Sequence, residues 1–181
     1  MNEGLLPRRY AKALYEFAAE KNADGRVYGL MKTLAGSFVS ATGMQELLGN
    51  PYIADADKIK VLLTAAGAAD TDTVYMDFLR LLAKNRRLDA AHGVAIAYIS
   101  LYRELHNIHE VRIMSAAPLS DEEESRLRSL VARHLGGGTM EYSYGIDPAL
   151  IGGFTVSVGN QRIDASVSNE LKLLRLNLLR K

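Results

Sequence analysis

From Leu5 to about Leu105, apolar residues recur at three- and four-residue steps, the period of amphipathic helices. Leu6, Tyr10, Ala13, Leu14, Phe17 and Ala18 fall along one side of a first helix. Asp24 is placed to cap a second, its carboxylate accepting a free backbone N–H, with Val27, Leu30, Met31, Leu34 and Phe38 as the stripe. Met44, Leu47 and Leu48 mark a short third helix that Gly49-Asn50-Pro51 stops. Asp55 starts a fourth, with Ile59, Leu62 and Leu63 inward. Thr71 or Asp72 starts a fifth, with Val74, Phe78, Leu81 and Leu82 inward and Asn85 at its C-terminal end. Asp89 caps a sixth, whose stripe is Ile96, Ile99 and Leu105. Short polar breaks between such helices predict a compact antiparallel bundle.

After about Asn107 the period becomes two. Val111 and Ile113 alternate with Glu110 and Arg112, as in a half-buried strand. Ser120-Asp121-Glu122-Glu123 is a capping box, since Ser120 and Glu123 can satisfy each other's backbone donors. The helix behind it is expected to bury Leu127, Leu130, Val131 and Leu135 and to end at Gly136-Gly137-Gly138. Met140, Tyr142 and Tyr144 alternate, Asp147-Pro148 turns the chain, and Phe154, Val156 and Val158 alternate again. Gly159-Asn160 signals a tight hairpin, because both residues tolerate positive φ, and the strand of Ile163 pairs back. A leucine-rich helix runs from about Ser166 to the end. The predicted fold class is α+β, mainly α: an N-terminal six-helix bundle over residues 1–106, then a small C-terminal α/β domain over residues 107–181 with a mixed or antiparallel sheet.

Composition removes whole classes of function. The 181 residues carry 22 basic and 21 acidic side chains, a formal net charge of +1, so the chain lacks the basic footprint of a nucleic-acid binder. It has no cysteine, hence no disulfide framework, thiol nucleophile or cysteine metal site. The longest apolar stretch, Gly93–Leu101, is about half of the ~20 residues a spanning helix needs. The first residues lack the basic start and apolar run of a signal peptide, so membrane association is expected through partners.

No motif supplies catalysis. The triple glycine at 136–138 follows a helix and has no lysine after it, so it is no phosphate cradle. Gly152-Gly153 precedes a strand and opens no helix, which points to a bulge or a close backbone approach rather than a dinucleotide fingerprint. His106, His109 and Glu110 invite a small metalloenzyme, with residues three apart sharing a helix face. The order H-x-x-H-E matches no zinc-hydrolase signature, and a solvated helix end is the simpler account. His92 and His134 are isolated. Lys84-Asn85-Arg86-Arg87 reads as a turn that compensates a helix dipole, and Asp121–Glu124 as charge favoured at a helix start. No catalytic residue, metal ligand or cofactor is assigned.

Two apolar surfaces exceed what core packing requires. The first helix is apolar on more than one stripe, and small residues within it let another helix approach. The last helix, Leu171-Lys172-Leu173-Leu174-Arg175-Leu176-Asn177-Leu178-Leu179, is denser in leucine than one buried face needs. Both features favour a protein that binds other helices. A general helical adaptor or scaffold protein would share them.

The segment Arg9-Tyr10-Ala11-Lys12-Ala13-Leu14-Tyr15-Glu16-Phe17-Ala18 resembles the opening helix of the ATP synthase delta family, whose mitochondrial relative is the oligomycin-sensitivity-conferring protein. Asn50-Pro51 is similar to that family's break after the third helix, and Phe78–Leu88 to its fifth-helix segment. The most specific match is Asp147-Pro148-Ala149-Leu150-Ile151-Gly152-Gly153-Phe154, continuing through Val156, Val158 and Gly159 to Ile163–Val167. Ala165 stands where glycine is common.

The resemblance implies a non-catalytic stator subunit of an F-type ATP synthase, holding the catalytic head against the rotor. It implies that the N-terminal bundle binds N-terminal helices of alpha subunits in a groove lined by its first and fifth helices. Candidates here are Tyr10, Ala13, Phe17, Phe78 and Leu81, of which Phe78 serves equally as core. It also implies that the C-terminal domain engages the b subunits of the peripheral stalk. Val167, Leu171, Leu174 and Leu178, at three- and four-residue steps on the last helix, either pack that domain or meet b. The chain begins almost at its first helix, with no room for a transit peptide. The expected location is therefore peripheral, at the cytoplasmic face of a bacterial inner membrane.

Overall fold

The computed structural model describes residues 5–69, 72–135, 137–159 and 161–179, with His134 and Leu135 described by backbone alone. Expectations for Thr71, Gly136, Asn160 and the side chains of His134 and Leu135 lie outside the described residues. The fold is mainly helical, with one small mixed sheet of four strands, and its contacts divide it into two compact units, residues 1–104 and 105–181.

The first unit carries α1 (Leu5–Glu20), α2 (Asp24–Ser40), α3 (Met44–Gly49), α4 (Asp55–Ala66), α5 (Thr73–Lys84) and α6 (Ala91–Leu105), with a turn of 3-10 helix at Leu88–Ala90. Their inner stripes meet in one core around Leu14, Met31, Leu34, Leu62, Leu79 and Tyr98. Burying each such side chain contributes about 1.5–3 kcal/mol. Three helices close in the same way. A backbone N–H two or three residues past the helix reaches back five residues: Ala23 to Ala18 at 2.8 Å, Ala68 to Leu63 at 3.0 Å, Arg87 to Leu82 at 2.8 Å. Asn22, Gly67 and Arg86 hold the left-handed position that this closure requires.

The helix starts differ from expectation. Asp24 is the first residue of α2, after an Ala23 N-cap that makes no side-chain bond. Its charge there still meets the helix dipole. Asp72 takes the N-cap position of α5 without capping it. Instead its carboxylate accepts from the Ala69 N–H at 3.1 Å and pairs with Arg26 of α2. Asp89 lies inside the 3-10 turn rather than capping α6. The stripe of α6 is also rotated: Val94, Ala95 and Tyr98 are buried, whereas Ile96 is 49% and Leu105 55% exposed. Tyr98 wins the core because its ring fills the space while its hydroxyl donates to the Asp24 carbonyl at 3.1 Å.

The second unit runs β1 (Ile108–Ser115), α7 (Asp121–Leu135), β2 (Thr139–Ile146), a 3-10 turn at Pro148–Leu150, β3 (Gly153–Val158), β4 (Gln161–Ser166) and α8 (Val167–Leu179). The strand order is β2-β1-β3-β4. β1 and β2 are parallel, joined by α7, and the other pairs are antiparallel, so the sheet is mixed. Val111, Ile113 and Val156 point to the face that Leu127 and Val131 of α7 cover. Leu130, expected inside, is 53% exposed, because it stands on the flank of α7.

Two sequence signals form as written. The Ser120 N–H and hydroxyl both donate to the Glu123 carboxylate, at 2.8 and 2.7 Å, and hold that carboxyl below its usual range. Gly153 has φ 74°, and a Cβ there would sit 2.2 Å from the Ala165 carbonyl oxygen, so the double glycine is a close backbone approach. His106 lies in a turn and His109 in β1, so they share no helix face.

Candidate functional site

The broad apolar surface of α1 takes shape as an open groove against α5. Leu5, Leu6, Arg9, Tyr10 and Ala13 form one wall and Leu81 the other, around about 580 Å³. Ala13 is exposed, Tyr10 half-buried and Leu81 44% exposed. The small Ala13 side chain between larger neighbours leaves room for an incoming helix to come close. At one end the Asn85 amide donates to the Tyr10 hydroxyl at 3.0 Å.

Three of the five candidates therefore line one groove. Phe17 lies further along α1, half-buried, with the Lys21 ammonium 5.0 Å from its ring centre, and does not line it. Phe78 is 5% exposed and belongs to the core. It backs α5 instead of facing the groove. Leu5 and Arg9, which the sequence did not single out, complete the wall. The signal for them was present, since Leu5, Arg9 and Ala13 follow at four-residue steps.

The last helix is anchored at its start and otherwise bare. The Ser166 hydroxyl accepts from the Asn169 N–H at 3.2 Å, capping α8, and donates to Asp164 at 2.6 Å. That bond and the Ser166 N–H hold the Asp164 carboxyl below its usual range. The Val167 N–H reaches the Gly152 carbonyl at 3.0 Å. Beyond this point no residue of α8 is buried: Val167 is 38%, Leu171 53%, Leu174 61% and Leu178 68% exposed. The candidates on α8 lie on the surface and do not fill the core of their unit.

Among the described residues no group of three or more His, Cys, Asp or Glu side chains is arranged to hold a metal ion. No helix among them is long and apolar enough to cross a membrane.

The sequence profile of the ATP synthase delta (OSCP) subunit family matches residues 6–178. The chain belongs to this family. Relatives include the ATP synthase subunit delta of Bacteroides thetaiotaomicron, 35% identical over all of this chain and 97% of that one. The subunit delta of Parabacteroides distasonis is 38% identical over 99% and 98% of the two chains. A chain in the cryo-EM structure of the Toxoplasma gondii mitochondrial ATP synthase hexamer shares the fold, with a TM-score of 0.71, 22% identity and coverage of 96% and 97%. As a delta-family member the chain is a non-catalytic stator component of an F-type ATP synthase. The block from Asp147 to Val167 now has a structural meaning: it is the turn, hairpin and cap that launch α8.

Proposed function

We propose that the first unit, read as a six-helix bundle over residues 1–106, binds the catalytic head by taking an N-terminal helix of an alpha subunit into the α1–α5 groove. The observation that carries this is the open groove itself, with Tyr10, Ala13 and Leu81 on its walls and no side chain among the described residues filling it. An amphipathic helix entering there removes Leu81 and the Tyr10 ring from water and meets Ala13 at close range. Phe17 extends the same apolar surface along α1, and Phe78 supports the wall from the core.

The C-terminal unit, residues 107–181, engages the b subunits of the peripheral stalk through Val167, Leu171, Leu174 and Leu178 of α8. Many small apolar contacts on two separate units suit a subunit that must resist torque. Association with the membrane is peripheral, through these partners, at the cytoplasmic face of a bacterial inner membrane.

The test is calorimetric titration of the full chain with a peptide from the cognate alpha subunit's N-terminus. One-to-one binding is expected. Ala13→Asp, which buries an unpaired charge only in the complex, should weaken it by about 3 kcal/mol or more. Undiminished binding by the folded variant would remove the α1–α5 groove from the alpha interface.

A further inference from the structure

The sheet, ordered β2-β1-β3-β4, has two edges, and the sequence blunts only one of them. A sheet edge presents a row of unpaired backbone groups, which short strands, charged side chains and proline normally shield. β4 is six residues long and carries Arg162 and Asp164, and the Asp164 carboxylate takes the Ser166 N–H at 3.0 Å. β2 is eight residues long, Thr139-Met140-Glu141-Tyr142-Ser143-Tyr144-Gly145-Ile146, without proline, lysine or arginine. Its Tyr144 is 38% and its Ile146 55% exposed.

The hydrogen bonds at the two ends of β2 show which of its groups face outward. The Thr139 N–H donates to the Asn107 carbonyl at 3.1 Å, and the Asp147 N–H to the Ser115 carbonyl at 2.8 Å. Backbone groups alternate sides along a strand, so Thr139, Glu141, Ser143 and Gly145 turn theirs to β1. Met140, Tyr142, Tyr144 and Ile146 turn theirs away from the sheet, and no other backbone group among the described residues bonds them. The side chains of these outward-bonding residues lie on the α7 face. Met140 and Tyr142 pack with Leu127 and Val131, and Arg128 of α7 stands 5.2 and 5.5 Å from the rings of Tyr142 and Tyr144.

This geometry selects the occupant. A helix satisfies its own backbone and leaves nothing for the edge. An extended strand satisfies the edge, and antiparallel pairing is the more stable per residue. Its hydrogen-bonding residues then stand opposite Tyr142 and Tyr144, on the α7 face, where β-branched and aromatic side chains pair well with tyrosine. Arg128 disfavours lysine or arginine there. A second copy fits poorly. Two-fold antiparallel pairing of β2 with itself keeps both α7 helices on one face and brings two Arg128 guanidiniums together over the same tyrosines.

We propose that the β2 edge takes an extended segment of a partner protein as a fifth, antiparallel strand, with β-branched or aromatic, non-basic side chains on the α7 face. The site uses neither the α1–α5 groove nor α8.

The experiment follows amide hydrogen exchange of the full chain by NMR. The Tyr142 and Tyr144 N–H groups should exchange fast and those of Glu141 and Ser143 slowly, being bonded to β1. The probe is a peptide as long as β2, alternating valine and threonine between terminal lysines. At millimolar concentration it should slow Tyr142 and Tyr144 at least about ten-fold, with valine on the α7 face. N-methylation of its valines should weaken binding at least about ten-fold, and N-methylation of its threonines should not, because only the valine N–H groups point at β2. Tyr144→Pro removes an outward N–H, which an edge strand tolerates, and should abolish peptide binding, whereas Tyr144→Thr should retain it. Should Tyr144→Pro unfold, the two methylated peptides decide the matter on the unaltered chain. Slow exchange of Tyr142 and Tyr144 in the monomeric chain overturns the proposal, as does a peptide that leaves them unprotected. Equal or reversed effects of the two methylations overturn it too. A dimer of the chain that Tyr144→Pro dissolves would give the edge to a second copy and overturn the partner strand.

Discussion

The Asn85 side-chain amide donates a 3.0 Å hydrogen bond to the Tyr10 hydroxyl, tying the C-cap of α5 to α1 across 75 residues of sequence. The tie sits where the two helices wall the groove, so it sets their spacing. Both groups are solvent-accessible, so its worth to stability is small, about 0.5–1 kcal/mol. A double-mutant cycle of Tyr10→Phe and Asn85→Ala in urea unfolding should give a coupling of about 0.5 kcal/mol. The variants should weaken the alpha peptide more than they weaken the fold. Strict additivity would mean that the bond does not set the groove.

Gly153 and Gly159 both have positive φ, 74° and 55°, but differ in surroundings. A Cβ on Gly159 meets nothing within 4 Å, whereas one on Gly153 meets the Ala165 carbonyl. Gly159→Ala should cost about 1–2 kcal/mol from backbone conformation alone. Gly153→Ala adds about 1–3 kcal/mol of overpacking and should open the β3–β4 hairpin. Thermal unfolding of both variants separates them, and equal losses would sink the assignment of a close approach.

What could be read from sequence divides by range. Ser120 and Glu123 are three residues apart, and their capping box was legible because both partners lie in one turn. The hairpin of β3 and β4 was legible for the same reason. Asp72, offered with Thr71 as the start of the fifth helix, does stand at its N-cap position, yet its carboxylate is taken by the Ala69 N–H and by Arg26, 46 positions earlier, a competition that no local pattern contains. Ile96 and Tyr98 both fit a helical stripe, and only the rest of the core decides which turns inward. The parallel pairing of β1 with β2 depends on how α7 crosses the sheet, so alternation alone left the sheet mixed or antiparallel. The groove candidates divided likewise. Tyr10 and Ala13 share one helix face, but the direction of Phe78 depends on how α5 is rolled.

Tyr75 and Tyr98 are 1% and 0% exposed, and burial pushes both phenols well above their ordinary value of 10.0. For Tyr98 the nearby Asp24, Tyr102 and Tyr15 push the same way. The folded state therefore keeps these protons when the unfolded chain has lost them. Their stability is complete below about pH 10 and is lost as pH rises beyond it, by about 1.4 kcal/mol per pH unit for each phenol. Urea unfolding between pH 9 and about 11 should show this fall. Tyr98→Phe should make it shallower, and an unchanged slope would show that Tyr98 ionises freely in the folded state.

The Glu123 carboxyl is held below its ordinary value near 4.5, first by the Ser120 N–H and then by its hydroxyl. A depressed carboxyl contributes stability above its unfolded pKa and loses it as pH falls through the folded one. Carboxyl-detected NMR titration should show Glu123 titrating below the ordinary glutamate value. Ser120→Ala should move it part-way back, the backbone donor remaining. No movement would mean that the hydroxyl bond does not persist in solution.

The leucines of α8 separate fold from function most cleanly. Leu174 and Leu178 are 61% and 68% exposed, and aspartate at either should change stability by no more than about 0.5 kcal/mol. Had they packed a core, the same changes would cost several times more. If α8 instead meets the stalk, each aspartate must enter an apolar contact made only in the complex, and co-purification with the b subunits should fail while the alpha peptide still binds. Loss of stability would show α8 packing its own unit in solution. Retained capture of b by both variants would move the stalk contact off this helix.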